Sequence, residues 1–483
     1  MADYIYVYNG KRIAPSSGKI LGIKMPPVPE KTLRFKFSNT SFNPVTDTYS
    51  NDGVSTWHWT PVSKSIGIYD FTYSGTNWAP TLPSGTTTIL NDVRSTADRY
   101  PLNKNAIVGD VDIIDSNLAG VTSVDYLFQP MRTTLTKVNL KNTSSLTRGY
   151  NWGNSNGVSK LTEVYVEDTS NMTTMESMFT GCTALTTVNP LRADSCTTTR
   201  NMFNRCQSLS QPVSMSNMTS VTNMSSMFNA CIALTTIDNI DMTACTNAAS
   251  MFQQCASLTT IGNLNLPVCT DAGNMFKSCS RITSIGNIYM PSCRSAGNIF
   301  NDCTNLTTVG NIDLSACTSL NIFTGRTALT TVGNIDMSAC TNATNMFQSC
   351  SSLVTVSSIT TTSALKSVGS MFARCYALET IPLFDTSGVT SFFGGNRGGM
   401  CAQCTSLKSV PLFDTSSATD VTYMFSGCTA VESGALALYQ QMSTQTTPPT
   451  TYNNCFANCG SNTATGQAEL AQIPTSWGGT MAE

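Results

Sequence analysis

The sequence predicts a repeat solenoid, α/β to mainly β, wound from coils of about 24 residues. Two observations predict it. Met-Phe-x-x-Cys recurs at Met178-Phe179, Met202-Phe203, Met227-Phe228 and Met251-Phe252, with Leu three residues after each Cys. The anchoring aromatic then continues as Phe276, Phe300, Phe323, Phe347, Phe372, Phe425 and Phe456. The second observation is a matching apolar spacing between anchors. After Phe228 come Cys231, Leu234, Ile237, Ile240, Met242, Cys245, Ala248 and Met251, in steps of three broken by one step of two. A fixed period of this length marks units that bury their apolar side only against neighbouring units.

The step of two places both side chains on one face, as a strand requires. Asn239–Met242, Asn263–Leu266, Asn287–Met290, Asn311–Leu314 and Asn334–Met337 therefore read as rungs of one parallel sheet. The Met-Phe-x-x-Cys half reads as a short helix or 3₁₀ turn behind it. Twelve copies align on the aromatic place, and eleven carry Cys three residues later, with Arg326 as the exception. A second Cys column runs through Cys196, Cys245, Cys269, Cys293, Cys317 and Cys340. Stacked thiols with parallel Cβ vectors suit packing and not disulfides. Cys401-x-x-Cys404 falls on the repeat, Cys401 in the Phe place, so it reads as packing and not as a metal or redox pair.

The segment Leu234-x-x-Ile237-x-x-Ile240-x-Met242-x-x-Cys245 fits the leucine-rich-repeat pattern. With Met-Phe-x-x-Cys-x-x-Leu and the following Leu-Thr-Thr-Ile/Val, it resembles the BspA-like leucine-rich repeats of bacterial surface proteins and some phage proteins. Degenerate copies precede the clear ones at Tyr126-Leu127-Phe128 and at Leu161–Val166. The organisation expected is an anchoring segment with a Pro-rich linker over 1–30, a small β-rich domain and cap over 31–115, the solenoid over 116–433, and a terminal coil with capping helix and tail over 434–483. Strand signals at Leu33, Phe35 and Phe37, at Trp57–Trp59 and at Ile66–Tyr73 support the second unit. Gly434–Met442 reads as a helix, and Ile473, Pro474 and Trp477 as the seal on the last coil.

Composition narrows function. Only 12% of residues are charged, and 27 Lys and Arg oppose 29 Asp and Glu, which leaves no field for nucleic acid or an anionic membrane. No apolar stretch reaches membrane-spanning length. His58 is the single histidine, no carboxylate pair stands out, and no phosphate-binding or metalloprotease motif occurs. Asp238, Asp241, Asp313 and Asp336 fit turn-shaping places beside the rungs. No catalytic residue, cofactor or metal site is expected.

Departures from the period are the candidate binding places. Arg148, Tyr150 and Trp152 lie in an apparent interruption, whose aromatic and amide groups can stack on and hydrogen-bond a sugar ring. The same residues also fit a loop folded around a packed Trp. Phe392, Phe393 and Arg397 lie in a Gly-rich insertion between Phe372 and Cys401. At the N-terminus, Tyr4, Tyr6, Tyr8, Pro26 and Pro27 are the candidate anchoring residues. The resemblance implies a surface-displayed binding protein, yet Met1–Tyr8 carries no basic or apolar leader. A phage structural protein, fibre or decoration, reconciles the two. Its N-terminus would dock to other virion proteins, and its coils would bind a host-surface glycan or protein without membrane insertion. Analogy with fibres implies a homo-oligomer, a trimer. A bacterial cell-surface adhesin is the alternative, and a polysaccharide depolymerase a third reading.

Overall fold

The computed structural model describes residues 32–37, 57–63, 68–73 and 110–481, apart from 126–127, 129–130, 153–156, 238–239 and 396–397. Strands β1 (Thr32–Phe37), β2 (Trp57–Ser63) and β3 (Ile68–Tyr73) are antiparallel neighbours. β1 also pairs antiparallel with β4 (Val111–Asn117). From β4 the sheet turns parallel, through β5 (Leu135–Leu140), β6 (Glu163–Val166) and β7 (Thr187–Val188). The β-rich N-terminal strands and the first coils thus share one hydrogen-bonded sheet in the order β2-β3-β1-β4-β5-β6-β7. Arg34 and Asp70 face each other across β1 and β3, both buried, with Nε and Nη2 donating to the carboxylate at 2.7 and 2.9 Å. The two-point geometry neutralises both charges in a place water does not reach.

Further along, the chain is a parallel β-solenoid of leucine-rich-repeat type. A short ladder joins β8 (Leu191–Arg192) to β9 (Met215–Ser216). The middle coils build one parallel sheet, as the rungs predict, from two strand ladders. One runs through β10 (Thr260–Ile261), β12 (Ser284–Ile285) and β14 (Thr308–Val309). The other runs through β11 (Leu264–Asn265), β13 (Ile288–Tyr289) and β15 (Ile312–Asp313). Both run into β16 (Thr331–Asp336), which pairs with β17 (Thr355–Thr360) in the register Val332↔Val356 and Ile335↔Ile359. The expected rung at Asn239–Met242 is not a strand over its described residues. A third line of single parallel bridges, Arg148↔Thr174↔Thr198↔Asn223↔Asn247↔Asp271, marks another side of the coil.

The Met-Phe-x-x-Cys half is neither helix nor 3₁₀ segment, contrary to the reading from spacing. It is a pair of tight turns. Residues before Met and before Cys take left-handed φ, as at Asn201 (55°) and Arg205 (63°), or Ser250 (56°) and Gln254 (63°). These reversals aim alternate N–H groups at the next coil: Phe228 donates to Met251 O at 2.9 Å and Ala230 to Gln253 O at 2.8 Å. Phe rings stack inside, 5.3 to 6.2 Å apart from Phe179 to Phe372. From Phe203 to Phe372, every ring but that of Phe323 is followed by a thiol that donates to the Phe carbonyl of the preceding coil, as Cys255 to Phe228 O at 3.1 Å and Cys279 to Phe252 O at 3.0 Å. Arg326 breaks the Cys column in sequence yet keeps its bond. Its Nη1 donates to Phe300 O at 3.1 Å, the acceptor a cysteine would have used. On the outside, threonine hydroxyls make a parallel ladder, with Thr197, Thr222 and Thr246 each donating to the carbonyl one coil earlier.

The C-terminal end closes with α1 (Ala435–Thr444) and α2 (Ala464–Leu470). Gly434 is the N-cap of α1, and Leu438 and Met442, four apart, face inward. Thr463 caps α2 by accepting the Gly466 N–H. Ile473 is buried, and the Trp477 ring stacks on Tyr452 at 4.2 Å and meets Tyr439 edge-on. The last apolar coil is thereby covered.

Candidate functional site

The thiols come first, because nineteen cysteines invite a chemical reading. All nineteen are free and buried. Burial pushes Cys182 and Cys231 up to about 12, and Cys401 well above the ordinary thiol value, so none of the three carries thiolate at neutral pH. Cys401 stands in the aromatic place, its N–H bonded to Met424 O as a Phe N–H would be. Among the described residues no cluster of three or more His, Cys, Asp or Glu could hold a metal. Asp241, Asp313 and Asp336 each accept the N–H two residues on, at 3.0, 3.1 and 3.0 Å, which is a turn-shaping role. His58 lies in β2 opposite Thr72.

Trp152 is fully buried between Phe128 and Phe179, with ring centroids at 4.9 and 5.2 Å. It is the aromatic anchor of its coil and presents no ring to a ligand. Trp takes the Phe place 24 residues after Phe128, and the interval from Trp152 to Phe179 is 27 residues. Arg148 is exposed and ion-paired with Asp125 at 3.0 Å, while the half-buried Tyr150 donates its backbone N–H to the same carboxylate at 2.8 Å. The structure therefore ties Arg148 and Tyr150 to one acid on the preceding coil.

The insertion at 392–399 is a true departure. Phe392 is buried and serves the core, so it too offers no surface. Phe393 bridges Gly399 antiparallel, and Gly394 N–H donates to Gly398 O at 3.0 Å, making a small hairpin on the side of a coil. The coils on both sides grip it. Ser370 Oγ donates to Gly398 O at 2.8 Å. A Cβ on Gly369 would stand 2.3 Å from Phe393 O, and one on Gly399 2.3 Å from Tyr423 C, so only glycine permits the approach. Phe393 is half-buried, and its ring lies 6.4 Å from that of Tyr423 at 37°. Tyr423 was not singled out from sequence. The available signal is a tyrosine in a column that holds Asn or Ser in most copies. Arg397, and the anchoring candidates Tyr4, Tyr6, Tyr8, Pro26 and Pro27, lie outside the described residues. No helix among the described residues is long and apolar enough to cross a membrane.

No curated protein matches this chain in sequence. In structure it is similar to a leucine rich cell surface protein from Faecalibacterium prausnitzii A2-165, at 17% identity, covering 70% of this chain and 94% of that one, with a TM-score of 0.26. It is also similar to a leucine-rich repeat protein from Eubacterium ventriosum, at 17% identity, covering 71% and 91%, with a TM-score of 0.28. Residues 173–289, 294–397 and 317–439 match one family, together more than half of the chain. The chain belongs to the family described as "Mycoplasma protein of unknown function, DUF285".

Proposed function

We propose that this protein is a non-enzymatic display scaffold whose coils hold a binding surface toward a cell-surface glycan or protein. The observation that carries the reading is the division of labour along the chain. The thiols, the aromatic column and the ladders serve coil stacking, whereas the hairpin at 392–399 is gripped from both sides and holds the half-buried Phe393 ring beside the exposed Tyr423. Rigid placement of an exposed group lowers the ordering cost of binding, which is what a recognition surface needs.

In its finer form the proposal places the scaffold on a phage particle, with the N-terminal segment docked to other virion proteins and the coils turned toward the host. The charge-poor outer surface of Thr, Asn and Ser suits a displayed protein on a virion or on a bacterial cell. Mass spectrometry of purified phage particles tests the first location, and surface proteolysis of intact bacteria tests the second. Binding of the fluorescently labelled full chain to bacterial cells tests the function itself. Absence of saturable binding across a broad strain panel would refute the display reading.

A further inference from the structure

Among the described residues, Tyr423 is an aromatic residue in a backbone place that the other coils give to Asn, Ser or Gly. It precedes Met-Phe and has φ 56°. Elsewhere this left-handed place holds asparagine, as at Asn201, Asn274, Asn345 and Asn454, or serine, as at Ser226 and Ser250. Asparagine tolerates such a φ through local hydrogen bonding, whereas a bulky residue there is an outlier that costs stability. The coil gains nothing from the ring in its core, because Tyr423 is 39% exposed. Strain kept for an exposed ring points to use of that ring.

A second departure meets the first. The hairpin that breaks the period brings Phe393 to 6.4 Å from Tyr423, the two rings tilted by 37°. Around them stand amides and hydroxyls. Thr422 is half-buried, Asn453 and Asn454 are exposed one coil on, and Tyr423 N–H donates to Asn453 O at 3.1 Å. The nearby Asp420 carboxylate already accepts the Thr422 N–H at 3.0 Å. Resting on the display reading above, we propose that Phe393 and Tyr423 form a stacking platform for a neutral sugar ring of a surface glycan. One apolar C–H face of the sugar would lie on the exposed aromatic ring, and its hydroxyls would reach the neighbouring amides. A protein partner fits less well, since a stable protein contact needs on the order of 1,000 Å² of complementary surface. The platform is two rings framed by polar groups.

The test uses the full chain on an array of immobilised neutral oligosaccharides, with thermal unfolding measured in parallel. The wild type is expected to bind at least one neutral glycan. Tyr423→Asn should weaken that binding about tenfold or more, as loss of a central aromatic contact does, while the unfolding midpoint stays level or rises. Tyr423→Phe should keep binding within about twofold, because the stacking ring survives. Equal binding by Tyr423→Asn would overturn the site, and a lowered midpoint in that variant would overturn the strain argument. Cell binding that protease treatment of the cells abolishes, with no glycan bound, would overturn the sugar assignment and leave the display reading standing. Binding to neither glycans nor cells would overturn both.

Discussion

Truncating one ring in the aromatic column gives the sharpest test of what holds the coils together. Phe276 is fully buried, 5.5 Å from the Phe252 ring and 6.2 Å from the Phe300 ring, nearly parallel to each. In Phe276→Ala the neighbouring rings cannot close the gap, because backbone bonds fix their coils: Phe252 N–H to Met275 O and Phe276 N–H to Ile299 O, both at 3.0 Å. Loss of the buried ring costs about 2–3 kcal/mol in transfer, and two lost stacks add about 1 kcal/mol each. The expected total of about 4–5 kcal/mol lies within the usual cost of emptying a Phe site. Contacts in a solenoid run only between neighbours, so the effect should be local. Hydrogen exchange measured peptide by peptide should show protection lost in the coils from Phe252 to Phe300 and kept near Phe179 and Phe425. A change below about 1 kcal/mol, or one spread evenly along the chain, would refute the column as the source of stability.

Three further predictions follow from other parts of the core. Because burial lifts Cys182 and Cys231 from 9.0 to about 12, their stabilising effect is complete below pH 9 and is lost as pH rises toward 12. The urea midpoint should fall steadily above pH 9 while native thiols stay unreactive to a disulfide reagent at pH 8, and a flat midpoint through pH 11 would contradict this. Gly310→Ala should cost about 1–3 kcal/mol, since the new Cβ would sit 2.7 Å from Asn287 Oδ1, whereas Gly262→Ala, with nothing within 4 Å, should be near neutral in the same denaturation assay. Asp70→Asn should cost about 3–5 kcal/mol by stranding the buried Arg34 charge, and adding Arg34→Met should recover most of it. A double variant no better than the single one would show that the pair does more than neutralise itself.

Much of the coil was legible because burial in a solenoid repeats in sequence. Phe, Cys, Leu and Ile recur where stacked neighbours leave room for those shapes, and α1 could be read from Gly434 followed by inward residues four apart. The turn geometry was not legible. Left-handed φ occurs at Arg205, Ala230 and Gln254 as well as at Asn and Ser, so local residue preference does not announce it. There the cross-coil hydrogen bonds override propensity. Of the two readings the sequence allows for Trp152, the packed ring is the one the structure shows, and its 24-residue distance from Phe128 carries that signal. At the candidate site the hairpin was visible as extra glycine. Its partner Tyr423 lies 30 residues away, joined to Phe393 only by the winding of the chain.

The thiol that reaches back to the preceding carbonyl has a consequence for how long such a protein can be. From Cys206 to Cys428 most coils offer their successor the same kind of acceptor and their predecessor the same kind of donor, so the joint does not by itself fix the number of coils. Length is then an open variable. Adding one unit would extend the surface by about 4.8 Å and demand no new joint, while the hairpin and its tyrosine would travel intact to a new distance from the base. Reach and recognition can therefore change separately in a molecule built this way.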